Sequence, residues 1–279
     1  MGSNWVEGIR RWAFRPWPAE PAVGVALGGG FARGIAHLGV LRVLEEHKIP
    51  IRFIGGVSAG AIVASAYASG RSVQEIAGAA RAMRFKDVAG WQFNLLGLAA
   101  SSPMSEFLGR LLKVYRFEEM RIPLAVVATD LCSGRPVVFR DKGDVRLPVR
   151  ASCSYPGLFQ PVHCGDRYLV DGAMTMEVPA PAVRTMGATH VIGVSLPANR
   201  AGFDPRNMFQ VVNRCFQIMQ TRTEHSWRRA ATLVLEPNVE GMAWDGFDNV
   251  SKLIESGDRA ARAAMPRILS WLEQADKAA

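Results

Sequence analysis

FIGGVSAGAIVASAYASG, residues 53–70, is as long as any stretch of this chain without a charged side chain. It is barely long enough to cross a bilayer as one helix, and its four glycines and three serines argue against that reading. Divided near its middle it makes better sense. Phe53 to Val57 is a short apolar run of strand type, Ala59 to Ala68 a helix of small residues, and Gly70 a stop. The junction, Gly56-Val57-Ser58-Ala59-Gly60, matches G-x-S-x-G in the strand-to-helix setting that this turn requires. The sharp reversal strains its central residue, and the flanking glycines remove side chains that would collide. Ser58 would then stand at the carboxyl end of a sheet. The helix N-terminus behind it favours an oxyanion. The plainer alternative is a glycine-rich strand exit with a helix-capping serine.

Working outward, strands alternate with helices. Val23 to Leu27 is an apolar run, followed by Ile35, Leu38, Leu41 and Leu44 at helical spacing. Ser72 can cap a helix reaching about Met83. Asp87 to Ser102 is apolar and punctuated by glycine, and reads equally as a mobile lid or as loop packing. Met104 to Val114 looks helical, Ile122 to Ala128 and Pro136 to Phe139 extended. Val162 to Cys164 and Arg167 to Val170 flank a hairpin turn at Gly165-Asp166. A helix over Val178 to Met186 precedes a strand over Val191 to Leu196. Met208, Val211, Val212, Cys215 and Met219 mark one face of a long helix. Leu233 to Leu235 is a last strand, and Asp258 to Gln274 a last helix interrupted near Pro266. The pattern is that of an α/β fold with a mostly parallel central sheet.

The chain has 279 residues, 49% apolar and 21% charged, a length for one large α/β domain or two small ones; with no linker or repeat in view, one domain over residues 22–279 behind an N-terminal arm, residues 1–21, is the better reading. The arm mixes Trp5, Trp12, Phe14 and Trp17 with Arg10, Arg11 and Arg15, a composition used at membrane interfaces. It also fits a short segment packed on the domain or partly disordered, since Pro16, Pro18 and Pro21 limit any helix. It lacks the apolar core and cleavage site of a secretory signal. Four cysteines form no CxxC pair and no zinc-ligand spacing, so no metal or other cofactor is expected, and the thiols read as free and mostly buried in a reducing compartment. The net charge of +8 permits phosphate-bearing partners, but the basic residues are dispersed, which argues against nucleic acid. A cytoplasmic protein is expected, soluble or peripheral on the inner face of the membrane.

Gly28-Gly29-Gly30-Phe31-Ala32-Arg33-Gly34 lies between the first strand and the first helix. Clustered glycines let N–H groups converge on an anion. The loop has neither the Gly-Lys-Ser/Thr of a P-loop nor the ribose-binding carboxylate of a dinucleotide fold. An oxyanion hole is the other use of such a loop. Arg33 could fix the loop, meet a phosphate, or simply face solvent.

Ser58 needs a base. None of the five histidines follows a strand in a triad-like place, and His37 reads as a helix residue packed under the glycine loop. Asp171 follows Tyr168-Leu169-Val170 and precedes Gly172, a strand end with a tight turn from which a carboxylate could reach a serine. Asp130 is the second carboxylate candidate.

Together these blocks resemble bacterial patatin-like phospholipases. Residues 34–41, GIAHLGVL, are similar to the family's opening block, and GVSAG to its elbow. Ala128-Thr129-Asp130, the ASCSYPGLF of residues 151–159, Leu169-Val170-Asp171-Gly172-Ala173 and Val191 to Val194 follow in family order. The resemblance implies a three-layer α/β/α fold and a Ser58–Asp171 dyad without histidine. It puts oxyanion donors on Gly29, Gly30 and Phe31, with Arg33, Gly56, Gly60 and Gly172 in support. It also implies hydrolysis of phospholipids, lysophospholipids or simpler lipid esters, without a metal; from their composition, the arm and residues 91–98 are the candidates for peripheral membrane contact. Two departures stand out: Phe31 replaces a third glycine, and Glu177 stands where members often have Asn. Acyl transfer by the same dyad and a silent lipid-binding or scaffold role are the competing readings. Headgroup, acyl position and oligomeric state have no signature in the sequence.

Overall fold

The computed structural model describes residues 21–94, 97–197, 204, 207–242 and 249–276. In chain order the elements are β1 (Val23–Leu27), α1 (Ala36–Glu46), β2 (Ile51–Gly56), α2 (Ala59–Ala68), α3 (Val73–Ala82), β3 (Gly90–Asn94), β4 (Gly97–Ala100) and α4 (Ser102–Leu111). There follow β5 (Leu124–Asp130), β6 (Pro136–Phe139), α5 (Arg146–Ser152), β7 (Val162–Cys164), β8 (Arg167–Asp171), α6 (Ala180–Thr185), β9 (His190–Val194), α7 (Met208–Arg228), β10 (Leu233–Leu235) and α8 (Val250–Asp276).

Among the described residues the main sheet has the order β10-β9-β1-β2-β5-β8-β7, with β6 also pairing β5. The pairs from β10 through β5 are parallel, and those joining β6, β8 and β7 are antiparallel. The central strands β1 and β5 are buried along their whole length, as strands covered on both faces must be. Alternation decides which helices they meet. Val23, Val25 and Leu27 join the core formed with α1, α2 and α8, whereas Ala26 packs with Val183 of α6 and Trp227 of α7 on the other face. The result is three layers, α/β/α, as the resemblance implied, around the mostly parallel sheet that the sequence pattern led us to expect. From β1 the chain moves one way to β2 and β5, and later returns on the other side as β9 and β10. That reversal opens a crevice at the carboxyl end of β1, where the glycine loop begins.

Three regions differ from the sequence reading. Residues 87–102 contain the antiparallel hairpin β3–β4, tied down by Ala99, whose N–H donates to Leu158 O at 3.0 Å and whose carbonyl accepts from Gln160 N at 3.1 Å. The last helix begins earlier than expected and runs through Pro266 without a break. Pro266 and Arg262 both face solvent, so water can serve the carbonyl left without its helical N–H. All four cysteines are free, but only Cys153 is buried, and Cys132 and Cys215 are exposed. The N-terminal arm lies outside the described residues except for its last position, so its expected roles stay expectations. No helix among the described residues is long and apolar enough to cross a membrane.

α1 and α8 touch backbone to backbone. A Cβ on Gly39 would sit 1.9 Å from Ile254 O, and one on Gly257 would sit 1.9 Å from Ala36 O. Arg42 bridges the same helices to Asp258 at 2.8 Å. Gly39→Val is therefore expected to force the pair apart and destabilise the protein by about 3 kcal/mol, measured by urea unfolding. A change below about 0.5 kcal/mol would contradict this contact.

Candidate active site

Ser58 sits between β2 and α2 with φ 54° and ψ −126°. A non-glycine residue rarely adopts this conformation, which costs on the order of 1–3 kcal/mol. Neighbouring close contacts enforce it. A Cβ on Gly56 would lie 2.4 Å from Gly60 O, and one on Gly60 would lie 2.3 Å from Leu27 O. The Val57 N–H donates to Leu27 O at 3.0 Å, locking the turn to the end of β1. The Ser58 N–H donates to Ser152 Oγ at 2.9 Å, and Ser152 Oγ–H donates to Val127 O at 2.6 Å. The Ser58 amide is thus engaged in holding the elbow. Ser152 was part of a recognised block, but nothing local in the sequence announced this contact.

Asp171 ends β8 and is almost completely buried. Its N–H donates to Ser154 O at 2.9 Å, so the 151–159 block grips both Ser58 and Asp171. Its Oδ1 accepts from Ala173 N at 2.9 Å, while Oδ2 is buried without a hydrogen-bond partner. Burial pushes the carboxyl from 3.8 up to about 7, partly offset by the Ala173 N–H and the Ser58 hydroxyl. That hydroxyl stabilises the charge without closing a hydrogen bond of regular geometry onto Oδ2, an arrangement usual before substrate tightens a site. Gly172 allows the turn to press on β5, since a Cβ there would meet Val127 O at 2.2 Å.

The glycine loop passes beside Ser58. A Cβ placed on Gly29 would lie 3.5 Å from Ser58 Cβ and 3.6 Å from Ala173 Cβ. Its first two amides are committed: Gly28 N–H to Val194 O at 3.0 Å and Gly29 N–H to Glu177 O at 3.2 Å. Phe31 adopts φ 50°, the left-handed region that a glycine enters without penalty. Its ring meets Tyr155 edge-on at 5.1 Å. His37 is fully buried beneath the loop, with Nε2 2.9 Å from Gly28 O, and burial lowers it to about 4. The neutral ring donates to that carbonyl and braces the loop. Asp130, the other carboxylate candidate, accepts from Ser133 Oγ at 2.7 Å and from Cys132 N at 3.1 Å, closing the turn after β5. It lines neither cavity at Ser58.

Ser58 lies where two spaces meet. One is a small cleft of about 60 Å³ lined by Gly30, Arg33, Asp171, Glu177, Asn213 and Gln217 among others. The other is an apolar cavity of about 430 Å³ walled by Leu38, Ile62, Ile76, Ala80, Met104 and Phe107 among others. Phe31 borders both. Burial depresses Arg33, opposed by the nearby Glu177 charge, and Arg33 Nη1 donates to Pro197 O at 3.4 Å. The cleft's outer wall is α7: Asn213 Oδ1 accepts from Tyr155 Oη–H at 2.7 Å, and Gln220 Nε2 donates to Ala173 O at 3.2 Å. Asn213, Gln217 and Gln220 escaped the sequence reading, which attended to the opposite face of that helix.

Ser58 and Asp171, both buried, thus line one cleft with the glycine loop on a doubly wound α/β sheet. Residues 25–184 match the patatin-like phospholipase family, and the chain belongs to it. It is 32% identical over 187 residues to an uncharacterized NTE family protein of Mycobacterium tuberculosis, a match covering 66% of this chain and 51% of that protein. It is 33% identical over 186 residues to the lysophospholipase NTE1 of Debaryomyces hansenii, covering 64% of this chain and 12% of that one. The chain thus spans about half the length of the mycobacterial relatives it matches. A solved structure of human GIVD cytosolic phospholipase A2, in complex with a methyl gamma-linolenyl fluorophosphonate inhibitor, shares the fold. Its TM-score is 0.52 at 12% identity, covering 93% of this chain and 60% of that one.

The raised Asp171 value carries a stability consequence. The folded state holds this proton more tightly than the unfolded chain, so the buried carboxyl costs nothing below about pH 4. It destabilises progressively as pH rises to about 7, and levels off above. Asp171→Asn keeps the acceptor for Ala173 N–H and removes the charge. It is expected to be more stable than the parent at alkaline pH by roughly 2–4 kcal/mol, and equal to it in acid. Thermal unfolding across that range checks this, and a pH-independent difference would contradict it.

Proposed function

We propose that this chain is a serine acyl-ester hydrolase acting on phospholipids, lysophospholipids or simpler lipid esters. The observation that carries the reading is the position of Ser58 at the junction of a polar cleft and a large apolar cavity. An ester carbonyl at that junction would send its acyl chain into the cavity and its alcohol portion into the cleft. A volume of about 430 Å³ suits a lipid-sized ligand.

In this reading Asp171 accepts the Ser58 hydroxyl proton and Ser58 Oγ attacks the acyl carbonyl. The tetrahedral oxyanion is held by the Gly30 and Phe31 N–H groups, aided by the α2 N-terminus. The Gly29 N–H joins them where its bond to Glu177 O yields. The C–O bond then breaks, and the departing alkoxide takes the proton from Asp171. Water, deprotonated by Asp171, attacks the acyl-enzyme and releases fatty acid as Ser58 recovers its proton. A carboxylate raised to about 7 is a far better base than an exposed one, which lets the dyad work without histidine. Arg33, at the cleft wall, faces a phosphate-bearing headgroup.

Two outcomes test this. Fatty acid release from lysophosphatidylcholine is expected to fall about 1000-fold or more in Ser58→Ala with the unfolding temperature preserved. Undiminished release would remove Ser58 from the chemistry. Ala80→Trp, which fills the apolar cavity, is expected to lower kcat/KM for long-chain esters about tenfold relative to short-chain ones. An unchanged ratio would place the acyl chain elsewhere.

A further inference from the structure

α7 presents two faces of different character. Asn213, Gln217 and Gln220 point into the cleft, and Trp227 is buried beneath. Met208, Val211, Val212, Cys215, Ile218 and Met219 are exposed on the opposite side. Met208 is 81% and Met219 62% accessible, values far above those of a core-facing stripe. Among the described residues, half of the exposed large apolar side chains belong to this one helix, and the rest are scattered over other elements. An apolar stripe of this length, about 17 Å along the helix, is not ordinary surface.

The same face changes chemistry toward its C-terminal end, where Arg222, His225 and Arg229 are exposed at helical spacing from Met219. The sole acidic residue of the helix, Glu224, is turned from that face and pairs with Arg228 at 3.4 Å. An apolar stripe continued by arginines, with no carboxylate on it, complements a lipid surface: acyl chains for the methionines and aliphatics, anionic phosphates for the arginines.

We propose that the outer face of α7 is the surface by which the protein docks on anionic phospholipid. The inference rests on the lipid-ester reading and extends it to the place of substrate capture. Docking on that face brings the wall of the Ser58 cleft to the bilayer, so a lipid travels one helix width from membrane to nucleophile. The arm and residues 91–98 are not needed for this contact.

The test measures partition onto phosphatidylcholine vesicles with and without phosphatidylglycerol, together with turnover of a water-soluble short-chain ester. Ile218→Glu/Met219→Glu is expected to lose about tenfold or more in partition onto both vesicle types. Arg222→Glu/Arg229→Glu is expected to lose about tenfold on phosphatidylglycerol vesicles only, the loss vanishing at high salt. Both variants are expected to turn over the soluble ester as the parent does. Unchanged partition of Ile218→Glu/Met219→Glu would overturn the assignment. So would a parent dimer that this variant splits, which makes the face a subunit interface. A parent that binds vesicles in this pattern yet hydrolyses no ester leaves the docking surface standing and removes the hydrolase reading.

Discussion

A serine backbone held at φ 54° is the constraint on which the site depends. It persists because α2 begins in direct contact with the end of β1, with Gly60 against Leu27 O, and because Ser152 captures the Ser58 amide. Each partner is itself fixed by the sheet. Leu27 lies in a strand paired on both sides, and Ser152 is anchored to Val127 of β5. The strain is therefore borne by the most buried part of the molecule, where several contacts together over-determine it.

Asp171 is a second unfavourable feature sustained by the same framework. Burying a carboxylate whose Oδ2 has no partner works against folding at neutral pH. The 151–159 block and the β5–β8 pairing hold it in place, with Asp171 opposite Ala128. What the fold loses in stability it gains in basicity next to Ser58. His37 shows burial acting in the opposite sense, since its ring is kept neutral so that it can brace the glycine loop.

The elbow, the glycine loop and the aspartate were legible in the sequence because each is a local backbone requirement written in glycines at strand ends. The mostly parallel sheet was legible because buried parallel strands read as continuous apolar runs, whereas the three layers came from the resemblance. Other features depend on partners distant in the chain. Periodicity marked an apolar face on α7 but could not say that the polar face would turn inward, toward Tyr155 and Ala173. Pro266 signalled a break that α8 does not make, because the missing bond lies on the solvent side. The engagement of the Gly29 N–H with Glu177 O depends on two loops whose meeting no local pattern encodes. Phe31 is the reverse case: its replacement of a glycine marked a constrained position, and the loop holds it at positive φ.

The central claim is that Asp171 activates Ser58. Its most direct test is the rate at which a fluorophosphonate probe modifies the protein as a function of pH, with the adduct located by peptide mass spectrometry. The account predicts an adduct on Ser58 whose formation rises with an apparent pKa about 7, as Asp171 ionises, and is much slower and lacks that rise in Asp171→Asn. Equal rates of Ser58 labelling in the parent and in Asp171→Asn would contradict it.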